Sequence, residues 1–314
     1  MKDKHTIGYL VMIWALVAAL GGVSCSPRRL MVDEFVAMVE RGLPAIEQED
    51  DLHLLAKSMP AHIKLLETLL ASDPNNRDLL VLLARLYGGY AFAILESEGE
   101  ARRLERPSVV ATGIPDDQLE DAIARSFQHG AEYALRSLEN RYPEARVQLN
   151  RLSSAADFIQ SLDSDDVPAL FWYAFNLGGF VQHRLDSVEA MAKAHLVEKA
   201  MRRIIEMDET YDNGNAHLVL LVFYASRPAM MGGNSDLARR HYQRHIAMHA
   251  PSEGLRETYW ARHVLVQQQD KAAFVSHLSA VAQTTEGGRS FSLLDRVAAV
   301  RAEIYLESVD RFFD

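Results

Sequence analysis

At 314 residues, with 33 Lys and Arg against 43 Asp and Glu, the chain carries a formal net charge of −10 at pH 7. Its basic residues are dispersed and form no long run, which argues against nucleic acid or an anionic lipid surface as a partner. The single cysteine excludes an internal disulfide, so stability must come from the core alone.

Lys2 and Lys4 precede the apolar stretch Ile7 to Leu20, and Gly21-Gly22-Val23-Ser24 lead to Cys25. This is the basic, apolar and small-residue order of a secretory signal peptide over residues 1–24. A membrane-spanning helix is the competing reading, because Ile7 to Val23 reaches only the lower end of the roughly 17–25 residues that cross a bilayer. Cys25 favours the signal: it stands where a bacterial lipobox places the residue that receives diacylglycerol. Gly22 departs from the lipobox, which usually has Leu three positions before the cysteine. The expectation is an exported lipoprotein of the bacterial cell envelope, periplasm-facing and anchored to a membrane through Cys25. Residues 25–30 read as a lipidated tether and 31–314 as a single all-helical domain; a cleaved soluble form or an uncleaved anchor are the alternatives.

Beyond the tether, apolar residues recur at three- and four-residue spacing with few strand-like alternations, which predicts an all-α body. Breaks are expected at Asp73-Pro74-Asn75-Asn76, Gly113-Ile114-Pro115, Tyr142-Pro143, Asp163 to Pro168, Asp212-Asn213-Gly214, Arg227 to Asn234, Pro251-Ser252 and Glu286-Gly287-Gly288. Between them, Leu79 to Tyr90 aligns without gaps to Ala169 to Phe180, matching bulky, small and Gly-Gly positions. Leu80, Leu83, Ala84 and Tyr87, like Leu170, Tyr173, Ala174 and Leu177, suit the first helix of a tetratricopeptide (TPR) pair, where the small residue lets a second helix approach. Ala131, Leu135, Leu138 and Pro143 suit a second helix, with partial copies at Leu66-Leu69-Pro74 and Ala238-Tyr242-Pro251. The spacing departs from the period of about 34. The fold expected is therefore an α-solenoid of degenerate TPR-like helix pairs with insertions; chance amphipathicity is the competing explanation.

Tyr211-Asp212-Asn213-Gly214-Asn215-Ala216-His217-Leu218 continues through Phe223-Tyr224-Ala225-Ser226-Arg227-Pro228 to Gly232-Gly233 and Asp236-Leu237-Ala238-Arg239. On this run the chain resembles the TatT family, the T component of tripartite ATP-independent periplasmic (TRAP) transporters. Supporting stretches are Leu79-Leu80 to Tyr90-Ala91, Val167-Pro168-Ala169-Leu170, and Asp270 followed by Phe274; Asn234-Ser235 stands where the family often has Asp. The resemblance implies a periplasm-facing lipoprotein that docks a DctP-type periplasmic solute-binding protein and assists uptake of a small organic-acid or hydrophobic ligand. It also implies self-association as a homo-oligomer, a trimer. A structural TPR-like envelope lipoprotein that mediates protein binding without a ligand is the alternative.

Several residues are candidates for ligand or partner contact. Arg227 closes an apolar run, where its guanidinium suits a carboxylate, or else a free carbonyl or a nearby acid. Met230 and Met231 are adaptable apolar contacts or loop filler. Tyr87, Tyr90, Phe171, Trp172, Tyr173, Phe180 and Tyr224 are aromatic candidates, and at helical spacing such residues are more often core than groove. His241, His245 and His249 recur every four residues, which suggests a solvated or interfacial face rather than a metal site, since no His-Glu-x-x-His or Cys accompanies them. Asp165-Asp166 and Glu49-Asp50-Asp51 read as solvated helix starts. No nucleophile, Walker or dinucleotide motif is found, and nothing argues for an enzyme, a metal or a cofactor.

Overall fold

The computed structural model describes residues 27–249, 253–283 and 292–313. Cys25, the signal segment and the breaks expected at Pro251-Ser252 and Glu286-Gly287-Gly288 lie outside the described residues. Among those described, every regular element is helical and no strand occurs.

In chain order the helices are α1 (Pro27–Glu47), α2 (Leu52–Leu70), α3 (Arg77–Tyr90) and, after a π turn at Ala91–Leu95, α4 (Glu96–Arg103). Then follow α5 (Asp116–Arg141), α6 (Ala145–Leu149), α7 (Leu152–Ser161), α8 (Val167–Gln182) and α9 (Val188–Asp208). The chain continues through α10 (Asn215–Ala225), α11 (Ser235–Ala247) and α12 (Glu253–Trp260), which runs into a second π turn at Ala261–Leu265. It ends with α13 (Lys271–Gln283) and α14 (Leu293–Glu307). Helix α1 starts at Pro27, inside the expected tether, because proline suits a first helical turn whose N–H has no partner to lose.

Side-chain caps set several of the other starts. Asp51 accepts from the backbone N–H groups of His53 and Leu54, Asn76 from Leu79, Ser187 from Ala190, and Asn234 from Asp236 and Leu237. Each such cap contributes roughly 0.5–2 kcal/mol. The Asp212-Asn213-Gly214 break is a left-handed corner, with φ of 48°, 59° and 74°. Asn, Asp and Gly are the residues that tolerate this region, so the turn is written directly in the sequence.

The long helices pack side by side in a series, α3 on α5, α5 on α8, α8 on α9, α9 on α10 and α10 on α11, and α13 packs on α14. The two aligned segments are α3 and α8, and they also touch each other. Leu83 and Ala84 of α3, and Leu170 and Ala174 of α8, are fully buried. Asn176 of α8 is wedged between two glycines, since a Cβ on Gly88 would lie 2.6 Å and one on Gly130 2.3 Å from its Oδ1. Its Nδ2 donates to the carbonyls of Ala84 at 3.0 Å and Trp172 at 2.7 Å, so this close approach ties α3 to α8 beside α5. The last helix, α14, returns against α1, α2, α4 and the first π turn. The array thereby closes on its own beginning.

One acid departs from its expectation. Asp165 is exposed, but Asp166 is fully buried, accepting from Arg77 at 3.2 Å, Arg141 at 3.2 Å and the Tyr142 hydroxyl at 2.9 Å. Donors from α3 and α5 converge on it, which is what lets a carboxylate leave water.

Candidate functional site

The closed array leaves a cavity of about 370 Å³ surrounded by α1, α2, α3, α8, α10, α12 and α14. Apolar side chains dominate its wall. Phe175 is the hub: its ring lies 5.5 Å from Trp172, 6.1 Å from Phe92, 6.1 Å from Phe127 and 6.3 Å from Phe171. Leu218, Val219 and Val222 of α10 face the same space, as do Leu86, Gly89 and Tyr90 of α3. No atom lies within 4 Å of where a Cβ on Gly89 would sit.

The wall carries few charged residues. Arg85 pairs with Glu47 and lies 5.6 Å over the Trp172 ring. Asp212 accepts from Asn215 Nδ2 at 3.0 Å. Glu96 is held by Arg301 at 3.1 Å and by His183 Nε2 at 3.0 Å, while His183 Nδ1 meets Glu120 at 2.6 Å. Burial opposes charge on His183, but the hydrogen bonds of Glu120 and Glu96 outweigh it and hold its pKa up at about 9. Arg301 also donates at 2.6 Å to the Phe92 carbonyl in the first π turn.

Arg227 differs from these in lacking a carboxylate partner among the described residues, although Arg301 Nε is equally without a hydrogen-bond partner. Its Nη1 donates to the Phe223 carbonyl at 3.1 Å and its guanidinium lies 4.1 Å from the Phe223 ring centre, yet its buried Nε has no hydrogen-bond partner. No carboxylate pairs with it among the described residues, and burial alone pulls its pKa down. Ser226 Oγ, next in the chain and also on the cavity wall, is buried without a partner.

The sequence candidates divide accordingly. Tyr90, Trp172 and Arg227 line the cavity. Tyr87 points elsewhere, its hydroxyl donating to Glu67 at 2.6 Å beside that of Tyr133. Tyr173 is buried away from the cavity, and Tyr224 donates to Glu198 at 2.8 Å with its ring stacked on His241. Met230 is 92% exposed and Met231 exposed, both on the loop after Arg227 rather than in the cavity wall.

The histidine face, expected to be solvated or interfacial, is packed largely inside the protein. His245 is fully buried and His241 half-buried; His241 Nδ1 lies 2.8 Å from His217 Nδ1, and only His249 is exposed. Burial pulls both His241 and His245 down to about 4, because α10 packs over this face of α11 and removes the water a charged imidazole needs. Among the described residues, no group of three His, Cys, Asp or Glu is placed to hold a metal ion.

Sequence reasoning missed Phe92, Phe127, Phe175, Glu96 and Ser226. Phe175 was detectable, lying one helical turn after Phe171 on the same face. Phe92 was not, since the π turn inserts an extra residue and shifts the helical register there.

A protein of Treponema pallidum (strain Nichols), described as uncharacterized, is 28% identical over 219 residues, covering 65% of this chain. The chain spans 63% of that relative's length. The family model for the TRAP transporter T-component matches residues 48–313, and the chain belongs to that family.

Proposed function

We propose that this protein docks a DctP-type periplasmic solute-binding protein of a TRAP importer and receives its small hydrophobic or organic-acid ligand in the cavity between α3, α8 and α10. The observation that carries this reading is the cavity itself: about 370 Å³ walled by Phe92, Phe127, Phe171, Trp172 and Phe175, in a chain of a transporter-component family. Well-packed interiors rarely leave such space unless something fills it. We read the helix pairs as degenerate TPR-like units and Cys25 as the lipidated residue that holds the body on the membrane. Tethering raises effective concentration at the importer without any new contact. Met230 and Met231 suit the docking surface, being exposed, apolar and adaptable.

Sedimentation velocity of the protein with the solute-binding protein of its own importer tests this reading. A joint species that dissociates when Met230 and Met231 are both changed to Lys is expected, and the same run reports whether the chain is a trimer. Absence of a joint species at tens of micromolar of each partner would leave only a scaffold role.

A further inference from the structure

We infer that Ser226 and Arg227 form the headgroup subsite of the cavity, and that its occupant is a single-headed amphiphile: one carboxylate on an apolar body. This rests on the reading of the cavity as a ligand site and specifies what it takes.

Two adjacent residues on one wall each bury a polar atom with no hydrogen-bond partner, Ser226 Oγ and Arg227 Nε. Other buried polar atoms also lack partners, Ser97 Oγ and Arg301 Nε among them, but Ser226 and Arg227 are adjacent and both line the cavity, and such a pair on a cavity wall marks a place where a polar group belongs. The chemistry of that group follows from the donors. A guanidinium N–H and a hydroxyl both donate to an oxyanion, and among the described residues no carboxylate neutralises the guanidinium. Phe223 is already in place beneath it, with the ring centre 4.1 Å from the guanidinium carbon. That stacking fixes the guanidinium before a ligand arrives.

The rest of the wall decides how many charges the ligand carries. Arg85 is occupied by Glu47, and no lysine among the described residues lines the cavity. The remaining charged groups on the wall are acids, Glu96 and Asp212, each already holding its own donors. A second carboxylate would therefore meet either those acids or aromatic rings, and its desolvation would go uncompensated. Val222 and Leu218 of α10, five and nine residues before Arg227, also line the cavity and give an apolar body a path toward the aromatic rings of α8.

Isothermal titration of the purified chain with decanoate, decanol and decanedioate at pH 7 tests this. Decanoate is expected to bind at least about tenfold tighter than either of the others, the factor one charge-assisted hydrogen-bonded pair supplies. Arg227→Met should bring decanoate affinity down to about that of decanol, and Ser226→Ala should remove a smaller part of the difference. Equal affinity for decanoate and decanol in the unaltered chain would overturn the subsite, as would an Arg227→Met chain that keeps its preference. Those results still leave the cavity as a binding site if Gly89→Leu, which fills its open space, abolishes decanol binding. Binding of none of the three probes overturns the cavity reading and the subsite together.

Discussion

Two polar regions on the same cavity wall are built in opposite ways. Around Glu96, charges of both signs are interlocked: Arg301 reaches from α14, His183 from the end of α8 and Glu120 from α5, and the π-turn carbonyl of Phe92 takes a further hydrogen bond. Around Arg227 the guanidinium has an aromatic ring and one carbonyl, and two neighbouring polar atoms have nothing. Arg301 Nε and Ser97 Oγ are also without hydrogen-bond partners, so what separates the two regions is charge: the Arg301 cation is matched by Glu96, whereas Arg227 meets no carboxylate among the described residues. Ion-paired helices are held together, whereas an uncompensated buried cation is open to an anion that arrives later. The first region closes the array by joining α14 to α4; the second is the proposed headgroup subsite.

The comparison breaks most readily at Arg301. Replacing it with Met leaves Glu96 buried with one fewer cation and the Phe92 carbonyl without its donor, so urea unfolding should show a loss of about 3–5 kcal/mol. A loss below about 1 kcal/mol would mean that the Glu96 region does not lock the array.

The adjacent glycines give the next largest effects, with opposite signs. Gly88→Ala drives a methyl into Asn176 and should cost roughly 1–3 kcal/mol, while Gly89→Ala points into open space and should gain about 0.5–1 kcal/mol from helix propensity. Equal effects at both positions in thermal melts would contradict the packing described around the cavity.

His183 sharpens the contrast through pH. Its pKa is raised to about 9 in the folded chain, against 6.5 as the ordinary value, so its contribution is complete below pH 6.5 and is lost as the pH rises through 9. Urea midpoints should fall between pH 6.5 and 9.5 in the unaltered chain, and His183→Gln should remove the part of that fall that is due to its titration.

The smallest effect is expected at Arg227. Arg227→Met deletes an unpaired, half-buried charge, so stability without ligand should change by no more than about 1 kcal/mol, in contrast with Arg301→Met. A loss matching that of Arg301 would mark Arg227 as another structural lock.

How far the sequence reached depends on whether the decisive contact was local. Helical periodicity, the Asn76 and Asn234 caps and the Asp212-Asn213-Gly214 corner each depend on residues a few positions apart, and all of them are in the structure. The alignment of α3 with α8 likewise predicted two similar helices, and its Gly-Gly pairs marked real close approaches at Gly88 and Gly179. What it could not show is that α14 returns to α1, α2 and α4, because that contact joins residues some two hundred positions apart. The cavity exists only after that closure. Aromatic candidates therefore separated by helix face: Trp172 and Tyr90 turned inward, while Tyr87 and Tyr224 met Glu67 and Glu198 on outward-packing faces. Arg227 was legible from its place at the end of an apolar run, whereas the missing carboxylate and the orphan hydroxyl of Ser226 required three dimensions.

The central claim is that the cavity takes an anionic amphiphile head-first onto Ser226 and Arg227. A crystal structure with 10-bromodecanoate tests it most directly, because the anomalous signal of bromine reports where the tail ends. The account predicts the carboxylate on Ser226 and Arg227 and the bromine among Phe92, Trp172 and Phe175. A bromine peak beside Arg227, or one outside the cavity, would contradict it.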